Sequence, residues 1–418
     1  MNLFVIPSWY PHRCHPLEGI FVLEQAAALG ELRPDWTIAI SRWGQGLGRI
    51  SLGHARRSPR CLIDALRLRG SFERNVRDNV VEFMTFAPSW GEGFLHGNRR
   101  GILEANRRNL RRSITRFGSI DLLHAHVSYP AGWVAMEMSA ELGIPYVVTE
   151  HMGPFPLKVY EHPDGSLPSF IRNPLERADA RVAVSPALAE RIASFGIPMP
   201  EVVPNVVDER LYSIEVPDPK APFTFFTLGG MDPVKGFPDL LDAIARLVER
   251  LPDQDRARVR FRLGGDGPYR KAYEQQCRSL GLDPWVAWLG FLSREQARHE
   301  FHRCNCYVLA SHHESFGVVL VEAMAAGKPV IATRCGGPDS IVTPANGILV
   351  DVGRPPELAE AMHAVCTGQK RYDPGLIRDG FLRQFSRAAV VDRLEGIYRR
   401  TLARGGPRRV PTVPDRDP

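Results

Sequence analysis

Tyr307-Val308-Leu309-Ala310-Ser311-His312-His313-Glu314-Ser315-Phe316-Gly317-Val318-Val319-Leu320-Val321-Glu322-Ala323-Met324-Ala325-Ala326 reads as a buried strand, a polar turn and an apolar helix. A second apolar strand, Val330–Thr333, follows at once. Continuous apolar strands separated by helices indicate a parallel sheet covered on both faces. Two glutamates, Glu314 and Glu322, flank the apolar run eight residues apart. In a helix that is about two and a quarter turns, so the pair is expected on roughly one face. Glu314 precedes the helix and Glu322 sits within it, where a buried carboxylate needs partners. Taken alone, the pair is equally explained by an acid favoured by the helix dipole and a salt-bridged core glutamate.

The same alternation extends in both directions. Phe223–Leu228, Arg260–Leu263 and Ile348–Val350 read as further strands, with helices at Phe237–Leu251, Tyr269–Leu280 and Pro356–Cys366. Upstream, Leu3–Ile6, Thr37–Ser41, Val80–Phe86, Asp121–Ala125, Tyr146–Thr149 and Arg181–Val184 form a first series of strands. Helices at Phe21–Leu29, Ala131–Leu142 and Pro186–Ser194 lie between them. Pro204 to Pro222 holds four prolines and little hydrophobic pattern, so the inter-domain linker is expected there. The expected domains are 1–208, to which a C-terminal helix at about 386–404 returns, and 209–385. Two such halves place a cleft at the C-terminal ends of their strands. Residues 405–418 read as a disordered tail.

At 418 residues, 44% hydrophobic and 24% charged, the chain has the composition of an ordinary globular protein rather than a disordered or collagenous one. No apolar run approaches the roughly 18 residues of a membrane span. Leu3-Phe4-Val5-Ile6-Pro7 reads as a first strand rather than a signal peptide. Seven scattered cysteines point to a reducing, cytoplasmic setting. The net charge is +6, but residues 42–118 hold 16 arginines against 6 acids, which suits an anionic partner. No zinc-finger or RRM signature accompanies them, so nucleic acid is not expected. Arg99, Arg100, Arg107, Arg108, Arg111, Arg112 and Arg116 alternate with Leu103, Leu110, Ile114 and Phe117, the pattern of an amphipathic basic helix. A solvated arginine face explains that pattern almost equally well.

Glycine-rich turns follow two strands of the second series. Leu228-Gly229-Gly230-Met231-Asp232-Pro233-Val234-Lys235-Gly236-Phe237 could bring backbone N–H groups and one ammonium to a phosphate, and Gly264-Gly265-Asp266-Gly267-Pro268 offers a second such turn. Glycine also simply makes tight strand-to-helix turns. Arg334-Cys335-Gly336-Gly337-Pro338 and Asn346-Gly347 stand near expected strand ends. Asp253-Gln254-Asp255 reads as solvent-facing. His299, His302, Cys304, Cys306, His312 and His313 lack paired C-x2-C spacing, so no metal site is expected. His126 follows a strand end, as a cleft residue should, whereas His124 reads as a strand histidine satisfied by a neighbour.

Together these residues resemble the retaining GT-B glycosyltransferases of group 1, also called family 4. The E-x7-E motif from Glu314 to Glu322 carries most of the resemblance. Lys235-Gly236, Gly265-Asp266-Gly267-Pro268, Gly336-Gly337 and Asn346-Gly347-Ile348-Leu349-Val350 add to it. In the first half, Pro7-Ser8-Trp9-Tyr10-Pro11, Gly19-Ile20-Phe21 and Gln25 look like the opening of members that build surface polysaccharides. His124-Ala125-His126, Glu150-His151 and Pro204-Asn205 also fall where the family has its own versions, so the likeness runs in order over residues 1–400.

The resemblance implies an α/β GT-B architecture of two doubly wound Rossmann-like domains facing a central cleft. It implies transfer of a sugar, with retention, from a nucleoside diphosphate donor to a glycan or lipid-linked saccharide, in surface polysaccharide synthesis. UDP-sugar is the expected donor and GDP-sugar the alternative. Lys235, the Gly19 turn and the N-terminal amides after Glu314 would stabilise the leaving diphosphate without a metal or other cofactor, and Gly229, Gly230, Gly265, Phe316, Gly317 and Val318 would belong to the nucleotide-sugar site. Glu314 would contact donor-sugar hydroxyls, and Glu322 the ribose diol, because a carboxylate accepts two hydrogen bonds at once. His126 would act near the reacting face, with Glu150 and His151 on the acceptor side. Arg99–Arg116 would meet an anionic surface at the inner face of the cell membrane. The family usually has arginine where Gly230 stands, so one phosphate cation is missing. That departure leaves room for a catalytically silent glycan-binding subunit; a sugar-nucleotide epimerase of the same fold is the alternative among enzymes.

Overall fold

Leu3, Phe4, Val5 and Ile6 are buried to within 1%, and the strand they form, β1 (Asn2–Pro7), lies at the centre of the first of two sheets in the computed structural model. The structure describes residues 1–12, 15–45, 71–89 and 95–404. The tail expected at 405–418 lies outside them, as does much of the arginine-rich stretch before Ser71. The first unit comprises Met1–Val184, Ala189–Val206 and the segment from Val390. The second comprises Ser185–Leu188 and Val207–Ala389.

In the first unit the elements run α1 (Ile20–Leu32), β2 (Thr37–Arg42), β3 (Ser71–Arg77), β4 (Val80–Thr85), α2 (Arg99–Phe117) and β5 (Leu122–His126). They continue as α3 (Trp133–Leu142), β6 (Tyr146–Glu150), α4 (Ser169–Glu176), β7 (Ala180–Ala183), α5 (Pro186–Ala193) and β8 (Glu201–Val202). The sheet order is β3-β4-β2-β1-β5-β6-β7-β8. Every pairing is parallel except β3 with β4. Order reverses between β1 and its neighbours β2 and β5, which marks the switch point where such sheets bind ligands.

β3 is an edge strand the hydrophobic pattern did not announce. Its residues, Ser-Phe-Glu-Arg-Asn-Val-Arg, are nearly all exposed. They serve charge instead of core. Glu82 on β4 is fully buried and accepts from Tyr10 Oη at 2.8 Å, Arg42 at 2.8 Å and Arg74 Nε at 3.0 Å. Arg74 on β3 thus supplies one of the cations without which a buried carboxylate is costly.

The second unit runs β9 (Phe223–Leu228), α6 (Phe237–Arg250), β10 (Val259–Gly264), α7 (Arg270–Ser279), β11 (Val286–Gly290) and α8 (Arg294–Arg303). There follow β12 (Cys306–Leu309), α9 (Val318–Ala325), β13 (Val330–Thr333), β14 (Gly347–Val350), α10 (Pro355–Cys366), α11 (Pro374–Phe385) and α12 (Arg387–Arg404). The order β11-β10-β9-β12-β13-β14 is wholly parallel. Phe225, Phe261, Leu241, Ile244, Val308 and Met362 belong to one core, in which α6 and α10 cover a face of the sheet. From Val390 onward α12 belongs to the first unit, where Val390, Leu394 and Tyr398 share a core with Val5, Trp36 and Ile38.

α9 begins only at Val318. Glu314 is therefore not helical, and counting turns from it to Glu322 does not apply. The main chain of Glu314 instead bridges in parallel to Gly336 in the turn after β13. Asp253–Arg256 forms a single helical turn with Asp253 exposed. Cys304 and Cys306 are buried, which pushes their thiols up, Cys304 to about 12. No cluster of three His, Cys, Asp or Glu able to hold a metal occurs among the described residues. Among them no helix is long and apolar enough to cross a membrane.

Candidate functional site

In the second unit the chemistry collects where three turns leave the C-terminal strand ends. Asp232 accepts from Val234 N at 3.0 Å and caps the turn Pro233–Lys235. Gly236 follows at φ 63°, and a Cβ there would stand 1.9 Å from Ala310 O. Only glycine permits that approach. His312 N donates to Val234 O at 2.7 Å and ties the Lys235 turn to the one after β12. Glu314 N donates to Cys335 O, and Gly337 N to Glu314 O at 2.8 Å, so the turn after β13 joins as well. A Cβ on Gly337 would lie 2.2 Å from Phe316 O, which accounts for the second glycine there.

These ties bring Lys235 Nζ to 2.6 Å from Glu314 Oε1, where Ser311 Oγ also donates at 2.8 Å. Both partners take Oε1. Oε2 has no protein partner among the described residues. Phe316 is buried, Gly317 is the N-cap of α9 at φ 93°, and no side chain caps the helix. Leu320 N donates to Gly317 O at 3.0 Å, which leaves the Val318 and Val319 amides as the donors that a helix start presents to an anion. Ser311 was not singled out in the sequence, although its spacing of three from Glu314 was visible.

Glu322 lies inside α9 and accepts from Tyr212 Oη at 2.9 Å, with the Arg294 guanidinium at 3.8 Å. Burial raises its pKa, while Arg294 and the Tyr212 hydrogen bond pull it back. Neither partner carries a sequence signal: Tyr212 sits in the proline-rich stretch and Arg294 opens α8 as one arginine among many.

Gly229 and Gly265 take a different part from the one expected. Gly229 N donates to Gly264 O at 3.2 Å, and Met231 N to Asp266 O at 2.9 Å. A Cβ on Gly265 would lie 1.8 Å from Gly229 O, and one on Gly267 2.6 Å from Met231 O. These glycines let two turns lie against each other, and the Gly229 amide is spent on that contact rather than left for a phosphate. Gly230 is exposed, and a Cβ there would meet only Asp232 Oδ2 at 3.4 Å.

In the first unit His126 ends β5 between Pro7 of β1 and Thr149 of β6. Its Nδ1 lies 3.0 Å from His151 Nε2, and its Nε2 3.5 Å from the Gln25 amide nitrogen. Burial drives His126 well below the ordinary histidine range and His151 to about 3, so both rings are neutral near pH 7. His126 can therefore share a hydrogen bond but does not carry a charge. His124 is held between Thr149 Oγ1 and Tyr398 Oη, each at 2.8 Å, and is structural. Gly19 caps α1 at φ 63°, with a Cβ position 2.2 Å from Trp9 O.

Glu150 and His151 do not stand open to an acceptor. Glu150 is wholly buried and accepts from Ser128 N, His151 N and Met152 N at 3.0, 2.8 and 2.9 Å. Its carboxylate shapes the turns after β5 and β6. His151 is 8% exposed and stacks on Phe21 at 4.1 Å.

The arginines of α2 are largely engaged within the unit. Arg107 pairs with Glu141 at 2.6 Å, and Arg112 and Arg116 each with Glu73 at 3.0 Å. Arg108 and Arg111 lie 3.5 and 3.9 Å from Glu104. Arg99 covers the Phe170 ring at 4.5 Å and donates to Tyr129 Oη. The basic helix is thus first a strut to β3 and α3, because those acids face it.

Residues 210–373 match the family "Glycosyl transferases group 1", and residues 85–211 match "Glycosyltransferase Family 4". A D-inositol 3-phosphate glycosyltransferase of Corynebacterium kroppenstedtii is 34% identical over 183 residues, 43% of this chain and 40% of that protein. The match thus spans about two fifths of that relative's length. An uncharacterized glycosyltransferase of Methanocaldococcus jannaschii is 31% identical over 282 residues, 67% of this chain and 75% of its own. Among solved structures, a sucrose-phosphate synthase from Thermosynechococcus elongatus superposes with TM-score 0.70 at 18% identity, covering 97% of this chain and 100% of that one. An Anabaena protein solved in complex with UDP superposes with TM-score 0.65 at 20% identity, covering 96% of this chain and 99% of that one. At such identities these two speak to the fold alone, two Rossmann-like units of GT-B type.

Proposed function

The chain belongs to the group 1, or family 4, glycosyltransferases, and from that premise we propose that it transfers a sugar, with retention and without a metal, from a nucleoside diphosphate sugar to a glycan or lipid-linked saccharide in surface polysaccharide synthesis. One observation carries the donor half of this reading. Lys235 and Ser311 occupy a single oxygen of Glu314 beside the uncapped start of α9, leaving the other oxygen to a sugar hydroxyl. Lys235 and the first amides of α9 would take the negative charge that develops on the leaving diphosphate. Glu322 would hold the ribose diol, and neutral His126 would hydrogen-bond the sugar near its reacting carbon.

A UDP-sugar is the donor we favour, with a GDP-sugar as the alternative. Incubation with a panel of UDP-, GDP- and ADP-sugars, followed by assay of released nucleoside diphosphate, tests the reading. Release from none of them, with or without candidate acceptors, would favour a silent glycan-binding subunit.

Gly230 is the observation that keeps that second reading in view. Its backbone is not in the left-handed region and its Cβ direction is open, so arginine fits there without displacing the turn. Gly230→Arg should tighten nucleoside diphosphate binding about tenfold, the value of one charge-assisted hydrogen bond to phosphate. Calorimetry of UDP and GDP binding checks it, and an unchanged affinity means that the turn does not face the diphosphate.

For the acceptor we propose contact with an anionic membrane surface through Arg99–Arg116. In this helix and its surroundings arginines outnumber the acids Glu73, Glu104 and Glu141 that face them. Exposed pairs of this kind are weak and screened by salt. Co-sedimentation with anionic but not neutral liposomes, reversed by salt, is the expected result. If the protein ignores anionic liposomes even at low salt, the helix is a strut only.

A further inference from the structure

Within the stretch expected to be the inter-domain linker, residues 208–215 are tied to the rest of the second unit at several points. Asp208 and Glu209 pair with Arg387 at 3.3 and 2.9 Å, and Arg378 donates to Glu209 O at 3.0 Å. Ser213 N reaches His302 Nε2 at 3.3 Å, whose Nδ1 lies 3.2 Å from Glu215. The buried Lys328 donates to Glu215 O at 2.6 Å. At the middle of this strap Tyr212 is 6% exposed, its ring set edge-on to Phe301 and His302. Those contacts aim its hydroxyl at Glu322 Oε1, 2.9 Å away.

We infer that Tyr212 is a positioning residue of the nucleotide site: its hydroxyl, with the Arg294 guanidinium, holds the Glu322 carboxylate oriented so that the remaining lone pairs accept the ribose diol. This rests on the role proposed above for Glu322. A carboxylate has about four acceptor sites. Tyr212 takes one on Oε1, and Oε2 has no protein partner among the described residues. A protonated Glu322 would accept fewer hydrogen bonds and bind the diol less well.

The groups facing Glu322 come from three elements. Arg294 on α8 is the cation and Tyr212 on the strap the donor. Tyr307 on β12 is a neutral phenol, kept so by burial and engaged with the backbone of Leu228. Burial pushes Glu322 up, and Arg294 and Tyr212 oppose it. Removing the hydroxyl therefore raises the Glu322 pKa further, and nucleotide binding is lost at a higher pH as the solution is acidified.

The test is a carbon-13 NMR titration of the glutamate carboxyls, with the Glu322 signal assigned by its absence in Glu322→Gln. Tyr212→Phe keeps the ring packing and should move the Glu322 midpoint upward. Arg294→Gln should do the same, and Arg294→Lys should return it toward the parent value. UDP affinity, with GDP run in parallel, should fall about tenfold in Tyr212→Phe, and the pH at which binding is lost on acidification should move upward with the Glu322 midpoint. Superimposable Glu322 titrations in parent and Tyr212→Phe would overturn the inference. If Glu322→Gln binds both nucleotides as the parent does, the ribose assignment itself fails. If Glu322→Gln weakens binding while Tyr212→Phe titrates like the parent, only the positioning role fails.

Discussion

Replacing Lys235 with alanine should lower the rate of sugar transfer by roughly 10²–10³-fold, the loss seen when one preorganised charge-stabilising donor is removed. The reason is the timing of charge. In the ground state the diphosphate charge is shared with the sugar bond, and it grows on the leaving oxygens only as that bond breaks. An ammonium already fixed beside them stabilises the transition state more than the bound donor. In the role proposed for it, Lys235 would meet the condition, because Gly236 and the Asp232 cap hold its turn and Glu314 orients its Nζ at 2.6 Å. With glycine at 230, no arginine shares the task from the place the family normally uses. The loss should therefore appear mainly in kcat, with a smaller change in affinity for the free nucleoside diphosphate.

EDTA should do little by comparison, because the proposed stabilisers are an ammonium and helix amides. Activity abolished by EDTA and restored by a divalent cation would overturn the metal-free mechanism. A Lys235→Ala enzyme that turns over like the parent would remove Lys235 from the site. Because the substitution also unpairs Glu314, thermal unfolding should be followed alongside. A modest fall in Tm with a large fall in kcat separates lost catalysis from a lost fold.

The parts of this fold and site that were legible share a local origin. Lys235, Gly236, Glu314 and Glu322 announce themselves because a strand, a glycine turn and a helix lie within a few residues of each. Long-range partners leave no such mark. Tyr212 meets Glu322 across 110 positions, and nothing in the pattern around Pro204–Pro222 distinguishes a fastened strap from a tether. β3 escaped notice because its residues answer to charge: Arg74 to Glu82, Glu73 to Arg112 and Arg116. β11, Val286-Ala287-Trp288-Leu289-Gly290, has an ordinary apolar pattern but is absent from the strands expected from the sequence. Gly229 and Gly265 were placed on a phosphate because glycine turns serve both purposes. Only the 1.8 Å between a Cβ on Gly265 and Gly229 O separates the two. Glu150 shows the converse: a polar pair at a strand end looks like a binding site, and the sequence gives no sign that its oxygens accept from three backbone amides.

Glu314→Gln should cut turnover by roughly ten- to a hundred-fold, since a hydrogen bond to a charged group is worth about 1.5–3 kcal/mol and about 1.4 kcal/mol is a factor of ten. Affinity for free UDP or GDP should stay nearly intact, because the product lacks the sugar that Glu314 is proposed to touch. The geometry sharpens the expectation. Lys235 and Ser311 both donate to Oε1, so the amide oxygen of a glutamine can keep those two contacts while its nitrogen replaces Oε2. What changes is then the second oxygen: an acceptor for a sugar hydroxyl becomes a donor that cannot serve it. The neighbouring ammonium also loses its counter-charge, which can only favour a bound diphosphate. Turnover and nucleotide affinity should therefore part company, in contrast to Glu322→Gln, where affinity itself should fall. Steady-state kinetics and calorimetry on the same Glu314→Gln preparation decide the matter. If nucleotide affinity falls in step with turnover, Glu314 acts through Lys235 and the diphosphate, and its place at the sugar hydroxyls is wrong.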